Sequence, residues 1–193
     1  MNTEINQAVK LFVKTLEQLN VPYYIGGSIA SSVYGISRAT MDIDLVSELK
    51  SDHVKFLVQA LQKDYFIDEN MILDAIVNKS SFNLIHLSTM IKIDVFISSG
   101  RMFDKTSFSR RKQDKLSEES DSVRVFLCSA EDTILSKLEW YKSGGSVSDR
   151  QWNDILGVIK VQGELLDKKY LLKWAEELGV EDLLQKAFTE GKL

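Results

Sequence analysis

Two aspartates one residue apart, Asp42 and Asp44, stand in the run Met41-Asp42-Ile43-Asp44-Leu45-Val46, where polar and apolar residues alternate. Alternation places successive side chains on opposite faces of a strand, so Asp42 and Asp44 share one face and Met41, Ile43 and Leu45 the other. Neighbouring carboxylates repel unless something cationic stands between them, and a hard divalent cation with oxygen ligands is the simplest such partner. Upstream, an apolar approach at Tyr24-Ile25 ends in Gly26-Gly27-Ser28. Glycines let the backbone come close to a bulky ligand, and Ser28 is placed to N-cap a short helix ending near Tyr34. A helix N-terminus with free N–H groups and a hydroxyl binds phosphate. Alone, a Gly-Gly-Ser is more often a turn and an Asp-x-Asp a solvated strand end. Together, with Arg38-x-Thr40 directly before the aspartates, they describe a site for a nucleotide and a metal.

The order Gly-Gly-Ser, then Asp-x-Asp in GGS…SRATMDIDL, resembles the signature of the DNA polymerase β-type nucleotidyltransferase superfamily. It is most similar to the small bacterial nucleotidyltransferases related to abortive-infection toxins of AbiEii type. The resemblance implies an α+β fold, a mixed sheet flanked by helices. It also implies that Gly26, Gly27 and Ser28 hold the triphosphate, that Arg38 or Thr40 steadies the loop or touches it, and that a third acid joins Asp42 and Asp44 from a later strand.

A candidate third acid is present. In IKIDVFI, Ile91, Ile93, Val95 and Ile97 share one strand face, and Lys92, Asp94 and Phe96 the other. An isolated aspartate on such a strand is disfavoured by propensity and desolvation. Either Lys92 or a turn donor satisfies it, or Asp94 is the third carboxylate, where the resemblance expects one. On that second reading Asp42, Asp44 and Asp94 bind two Mg²⁺ ions, with Mn²⁺ as the alternative, and Asp94 is the candidate general base for in-line nucleotidyl transfer.

The elements that must position these groups are readable in outline. Residues 4–19 carry Ile5, Val9, Phe12, Val13, Leu16 and Leu19 at helical spacing, closed by Asn20 and Pro22, and Tyr23-Tyr24-Ile25 forms the first strand. After the aspartates, Ser51 or Asp52 caps a helix with Val54, Leu57, Val58 and Leu61 inward and His53 on the surface; residues 70–79 form another. Residues 81–88, with Phe82, Leu84 and His86 on one face, and 91–98 make a hairpin around Ser88-Thr89. Residues 101–122 hold Arg101, Lys105, Arg110, Arg111, Lys112 and Lys115, then Glu118, Glu119 and Asp121. Such a run is a solvated face or mobile loop, or else a contact for a polyanionic acceptor. Residues 123–128 make a last strand, with Cys128 a buried, inert thiol.

A helical part follows, over about residues 130–142, 149–162, 167–178 and 181–189, with a break at Gly144-Gly145. The expected organisation is a catalytic core over 1–128 and a helical bundle over 129–193. Apolar stripes are expected from Ile134, Leu138 and Tyr141, from Trp152, Ile155, Leu156 and Ile159, and from Leu171, Leu172, Trp174 and Leu178. The segment SKLEWYKSGGSVSDRQWNDI is similar to the C-terminal motif of the AbiEii-like group, which implies that Lys137 reaches the nucleotide phosphates and that Asp154 orients Lys137 or touches substrate. Lys137 with Asp154, or Arg150 with a neighbour, is equally readable as an interhelical ion pair.

Composition narrows the function classes. With 24 Lys and Arg against 28 Asp and Glu, the net charge of −4 is not that of a protein coating nucleic acid by bulk electrostatics. One cysteine and two distant histidines leave neither a disulfide framework nor a Cys/His zinc site. No signal peptide and no apolar run near the ~20 residues of a membrane span are readable, so a cytoplasmic protein is expected. Nucleotidyl transfer from an NTP to an acceptor hydroxyl follows from the resemblance. RNA or a tRNA 3′ end is the toxin-like acceptor, with a cognate antitoxin as partner. A protein hydroxyl or a small molecule such as an antibiotic is the alternative, and a non-catalytic nucleotide-binding or antitoxin module the rival.

Overall fold

The computed structural model describes residues 3–40, 42–116 and 122–192. Met41 and the acidic residues Glu118, Glu119 and Asp121 lie outside them. In chain order the elements are α1 (Thr3–Gln18), β1 (Tyr23–Ile25), α2 (Gly27–Tyr34), β2 (Asp42–Ser47), α3 (Ser51–Leu61), β3 (Tyr65–Phe66), α4 (Glu69–Asn78), β4 (Ser81–His86), β5 (Lys92–Ile97), α5 (Met102–Arg110), β6 (Lys112–Lys115), β7 (Arg124–Leu127), α6 (Ala130–Ser143), α7 (Asp149–Gln162), α8 (Lys168–Glu177) and α9 (Glu181–Gly191). A 3-10 turn, Gly163–Leu165, follows α7.

The described residues form two units. The first comprises the chain up to Gly26 and Ala39–Leu127, and holds the whole sheet. Its seven strands run in the order β3-β4-β5-β2-β1-β7-β6. β2 pairs parallel with β5 and β1 parallel with β7, and the remaining pairs are antiparallel, so the sheet is mixed. The expected hairpin is present as β4–β5, and alternation in these strands sets the core: Ile43, Leu45, Leu84, Ile93 and Val95 are all fully buried. The stripe predicted on α1 is buried from Ile5 to Leu16, and the Tyr65 hydroxyl donates to the Ala8 carbonyl at 2.7 Å, tying β3 to that helix.

The first unit also departs from expectation. β3 has only two residues, too short to show a period. The basic run divides into α5 and β6, whose residues Lys-Gln-Asp-Lys are all exposed on the sheet edge. With no buried face, β6 has no hydrophobic alternation, and its charges deter pairing with another chain. His53 lies near the surface but is not idle there. Its Nδ1 accepts the Lys50 N–H at 3.2 Å, at the start of α3.

The second unit comprises Gly27–Arg38 and the chain from Cys128 onward, so α2 belongs with α6–α9. The predicted stripes of α6 and α7 are buried from Ile134 to Ile159 except at Leu156, which is only half-buried. On α8 the buried set is Leu171, Trp174 and Ala175, at i, i+3 and i+4; Leu172, expected inward, is 39% exposed because it falls about 100° round the helix from Leu171. The Cys128 thiol is buried, and burial pushes its pKa up to about 12, so it stays protonated and inert at neutral pH. At the end of α2 the chain passes so close to α7 that a Cβ on Gly35 would lie 2.7 Å from the Val158 nitrogen and 2.8 Å from the Gly157 carbonyl carbon.

That approach predicts different costs for two similar changes. Gly35→Ala drives a methyl into backbone and should lower the unfolding free energy by about 1–3 kcal/mol. At Gly157 an added Cβ meets Ile36 at 3.3 Å, and the helix interior gains from alanine, so Gly157→Ala should stay within about 1 kcal/mol of wild type. Urea melts of both variants measure the contrast.

Candidate active site

The sheet unit carries the carboxylates. β2 and β5 lie side by side and in register, Asp42 beside Lys92 and Asp44 beside Asp94. Asp42, Asp44, Lys92 and Asp94 therefore share the face opposite the buried Ile43, Leu45, Ile93 and Val95. On β4 the residue beside Asp94 is Asn83, a polar neighbour that the strand pattern alone does not single out. The Gly26 N–H donates to the Asp44 carbonyl at 2.9 Å, so the β1–β2 ladder runs up to the glycine pair. Thr40 lies before β2, where its Oγ1 accepts the Asp42 N–H at 3.4 Å, a long contact.

The acids do not share a common point. Among the described residues, no group of three or more Asp, Glu, His or Cys side chains stands together as around a metal ion. Asp94 is instead held by Lys92, Nζ to Oδ2 at 2.7 Å. That hydrogen bond first, and the charges of Asp94, Asp42 and Asp44 with it, outweigh desolvation and hold the Lys92 ammonium above the usual lysine range. The donor chemistry still fits a hard divalent ion: three carboxylates on adjacent registered strands, with a cation already bound to one of them.

The helical unit carries the groups expected at the phosphates. Gly27 has φ +53°, a left-handed conformation open to glycine at little cost. The helix begins at this residue, so Ser28 lies inside the first turn of α2 rather than capping it. Its hydroxyl accepts an N–H from Arg38 Nη2 at 2.6 Å. Arg38 also grips Asp154 with two bonds, Nε to Oδ1 at 2.7 Å and Nη2 to Oδ2 at 2.8 Å. From α6, Lys137 Nζ reaches the same Oδ2 at 2.9 Å. The interhelical ion pair weighed from sequence is thus present, and Arg38 makes it a three-residue cluster. Two cations share one carboxylate, leaving surplus positive charge near the start of a helix, an arrangement suited to an anion.

Burial alone would raise the Asp154 pKa; the hydrogen bonds and charges of Arg38 and Lys137 outweigh it and hold the carboxyl below its ordinary value. Of the basic run, Arg111 stacks over the Phe126 ring, 4.8 Å from its centroid, and donates to the Phe108 carbonyl. Lys112 and Lys115 are exposed on β6.

No family model and no curated protein matches the chain. Solved structures do. One of an antigenic nucleotidyltransferase-like protein from Paracoccidioides brasiliensis superposes with a TM-score of 0.60 at 18% identity, over 95% of this chain and 90% of that one. The solution structure of the antibiotic-resistance factor ANT(2'')-Ia gives 0.54 at 13% identity, covering 98% of this chain and 96% of that one. A crystal structure of ANT(2'')-Ia with adenylyl-2''-tobramycin gives 0.51 at 14% identity, with full coverage of both, 100% and 100%. The fold is the nucleotidyltransferase fold.

The Asp154 cluster predicts an acid-sensitive stability. A depressed folded pKa contributes stability that is fully present above the unfolded value, ~3.9, and is lost as pH falls through the folded value. Asp154→Asn leaves two cations without their counter-charge and should cost about 3 kcal/mol at neutral pH. Urea melts of both proteins should converge as the pH drops below about 4. A gap that persists at low pH would assign the loss to packing.

Proposed function

We propose that the protein is a divalent-metal-dependent nucleotidyltransferase that moves a nucleoside monophosphate from an NTP to an acceptor hydroxyl. The carrying observation is the registered pair Asp44 and Asp94, with Asp42 on the same face, in a chain of this fold. Asp42, Asp44 and Asp94 would hold the metal, two Mg²⁺ or Mn²⁺ ions, and bound there it would supply positive charge against the α-phosphate and the departing pyrophosphate. Asp94 takes the proton of the acceptor hydroxyl. Ser28 and the first N–H groups of α2 hold the β- and γ-phosphates; a hydroxyl that accepts from Arg38 still has its own O–H to donate. Arg38 and Lys137 supply positive charge to the triphosphate, and Asp154 positions both.

The AbiEii-like resemblance favours an RNA acceptor and a cognate antitoxin. A small hydroxyl-bearing acceptor is the second reading, supported by two observations. ANT(2'')-Ia, solved with adenylyl-2''-tobramycin, matches over the full length of both chains. Within the basic run, Arg111 is engaged with Phe108 and Phe126 rather than presented to solvent.

Labelled NTPs with Mg²⁺ and, separately, total RNA, an aminoglycoside or protein extract test the reaction. Label should enter one acceptor class, and Asp42→Asn should lower transfer more than about a hundredfold. Its melting temperature should hold or rise as carboxylate repulsion is relieved. Transfer unaffected by Asp42→Asn would exclude this mechanism. The paired change Lys112→Gln and Lys115→Gln separates the acceptors. With RNA it should weaken modification and flatten the log–log salt dependence by ~0.7–0.9 for each lost phosphate contact. With a small acceptor it should change neither.

A further inference from the structure

We propose that Lys92 is a tethered cation that competes with the divalent ion for Asp94, so that metal loading requires its ammonium to swing away. The inference rests on the metal-dependent reading above and concerns one residue which that reading leaves without a role. Lys92 and Asp94 lie two positions apart on β5, so both side chains rise from the same face of one strand, and Asp42 stands directly beside Lys92 on β2. The ammonium is bound to Asp94 Oδ2 at 2.7 Å. A carboxylate has lone pairs enough for two partners, but a Mg²⁺ ion sits ~2.1 Å from its ligand oxygen. An ammonium and a divalent ion on one carboxylate would stand within a few ångströms of each other, and their repulsion exceeds that of two unit charges. The lysine stem is flexible and its side chain 44% exposed, so it has somewhere to go.

Lys92 thereby answers the like-charge problem of the strand pair. With the ammonium in place the three acids face a cation of the chain's own. When a metal takes Asp94, the ammonium is released toward solvent or an incoming anion. Affinity for metal is therefore set partly by a side chain that is not a ligand.

Calorimetric titration of MnCl₂ into EDTA-stripped wild type, Lys92→Met, Lys92→Arg and Asp42→Asn tests this, with thermal melts and circular dichroism confirming that each folds. Lys92→Met should bind Mn²⁺ on the order of tenfold more tightly, because a like charge beside the ion is removed. Lys92→Arg, which keeps the charge, should stay close to wild type. The rise in melting temperature on adding Mn²⁺ should be larger in Lys92→Met than in wild type. Equal or weaker binding by Lys92→Met overturns the competition while leaving the metal reading intact. No Mn²⁺ binding by either protein, or binding unchanged in Asp42→Asn, overturns the metal reading and the competition with it. If Lys92→Met does not fold, Lys92→Gln takes its place with the same expectations.

Discussion

The parallel pairing of β2 with β5 is the constraint on which the candidate site depends. Six registered pairs, from Asp42 beside Lys92 to Ser47 beside Ile97, hold the strands together. On one face the ladder buries Ile43, Leu45, Ile93 and Val95; on the other it sets Asp44 against Asp94. These are one requirement seen from two sides. Slipping either strand by one residue would send its aspartates into the core and its isoleucines out. Apolar burial thus holds two carboxylates next to each other against their repulsion.

The helical unit meets a related problem in the opposite sense. Asp154 and Lys137 have side chains only 7% and 9% exposed, and buried charge is costly unless every group is matched. The match comes from Arg38, whose planar fork meets both carboxylate oxygens while still reaching Ser28. Gly35 lets the chain end of α2 lie against the backbone of α7 three residues beyond Asp154, which brings Arg38 within reach. The same small residue serves packing and electrostatics together.

What could be read in the sequence was whatever a local period or a capping residue announces. α1, the β4–β5 hairpin, α6, α7 and the face-sharing of Asp42 with Asp44 all follow from spacing. Asp94 was readable as an anomaly, a charge on an apolar strand, with Lys92 already named as one way to satisfy it. β3 and β6 were not readable, the first because two residues carry no period and the second because an edge strand exposed on every residue shows no alternation. Ser28 reads as an N-cap but is the second residue of α2, which begins two positions earlier than that reading implies, at Gly27. Arg38 was visible as a candidate, but its partner lies 116 residues away and no short-range pattern reports such a pairing. Asn83 beside Asp94 is not readable from sequence because strand register across the sheet is not written in either strand alone.

The placement of α2 has a consequence for synthesis. The ribosome releases Gly27–Tyr34 early, with Ile29 and Ala30 apolar and destined for full burial, yet the partners of this helix are α6 and α7. Arg38 emerges 116 residues ahead of Asp154. At ~5–20 residues per second that interval is on the order of ten seconds, far longer than a helix needs to form or fray. During it, β1 and β2 are already available to pair on either side, so the segment waits as an unpartnered excursion from a sheet that is assembling around its ends. A nascent chain of this kind leaves the apolar face of α2 open to aggregation and proteolysis until α6 and α7 arrive to cover it.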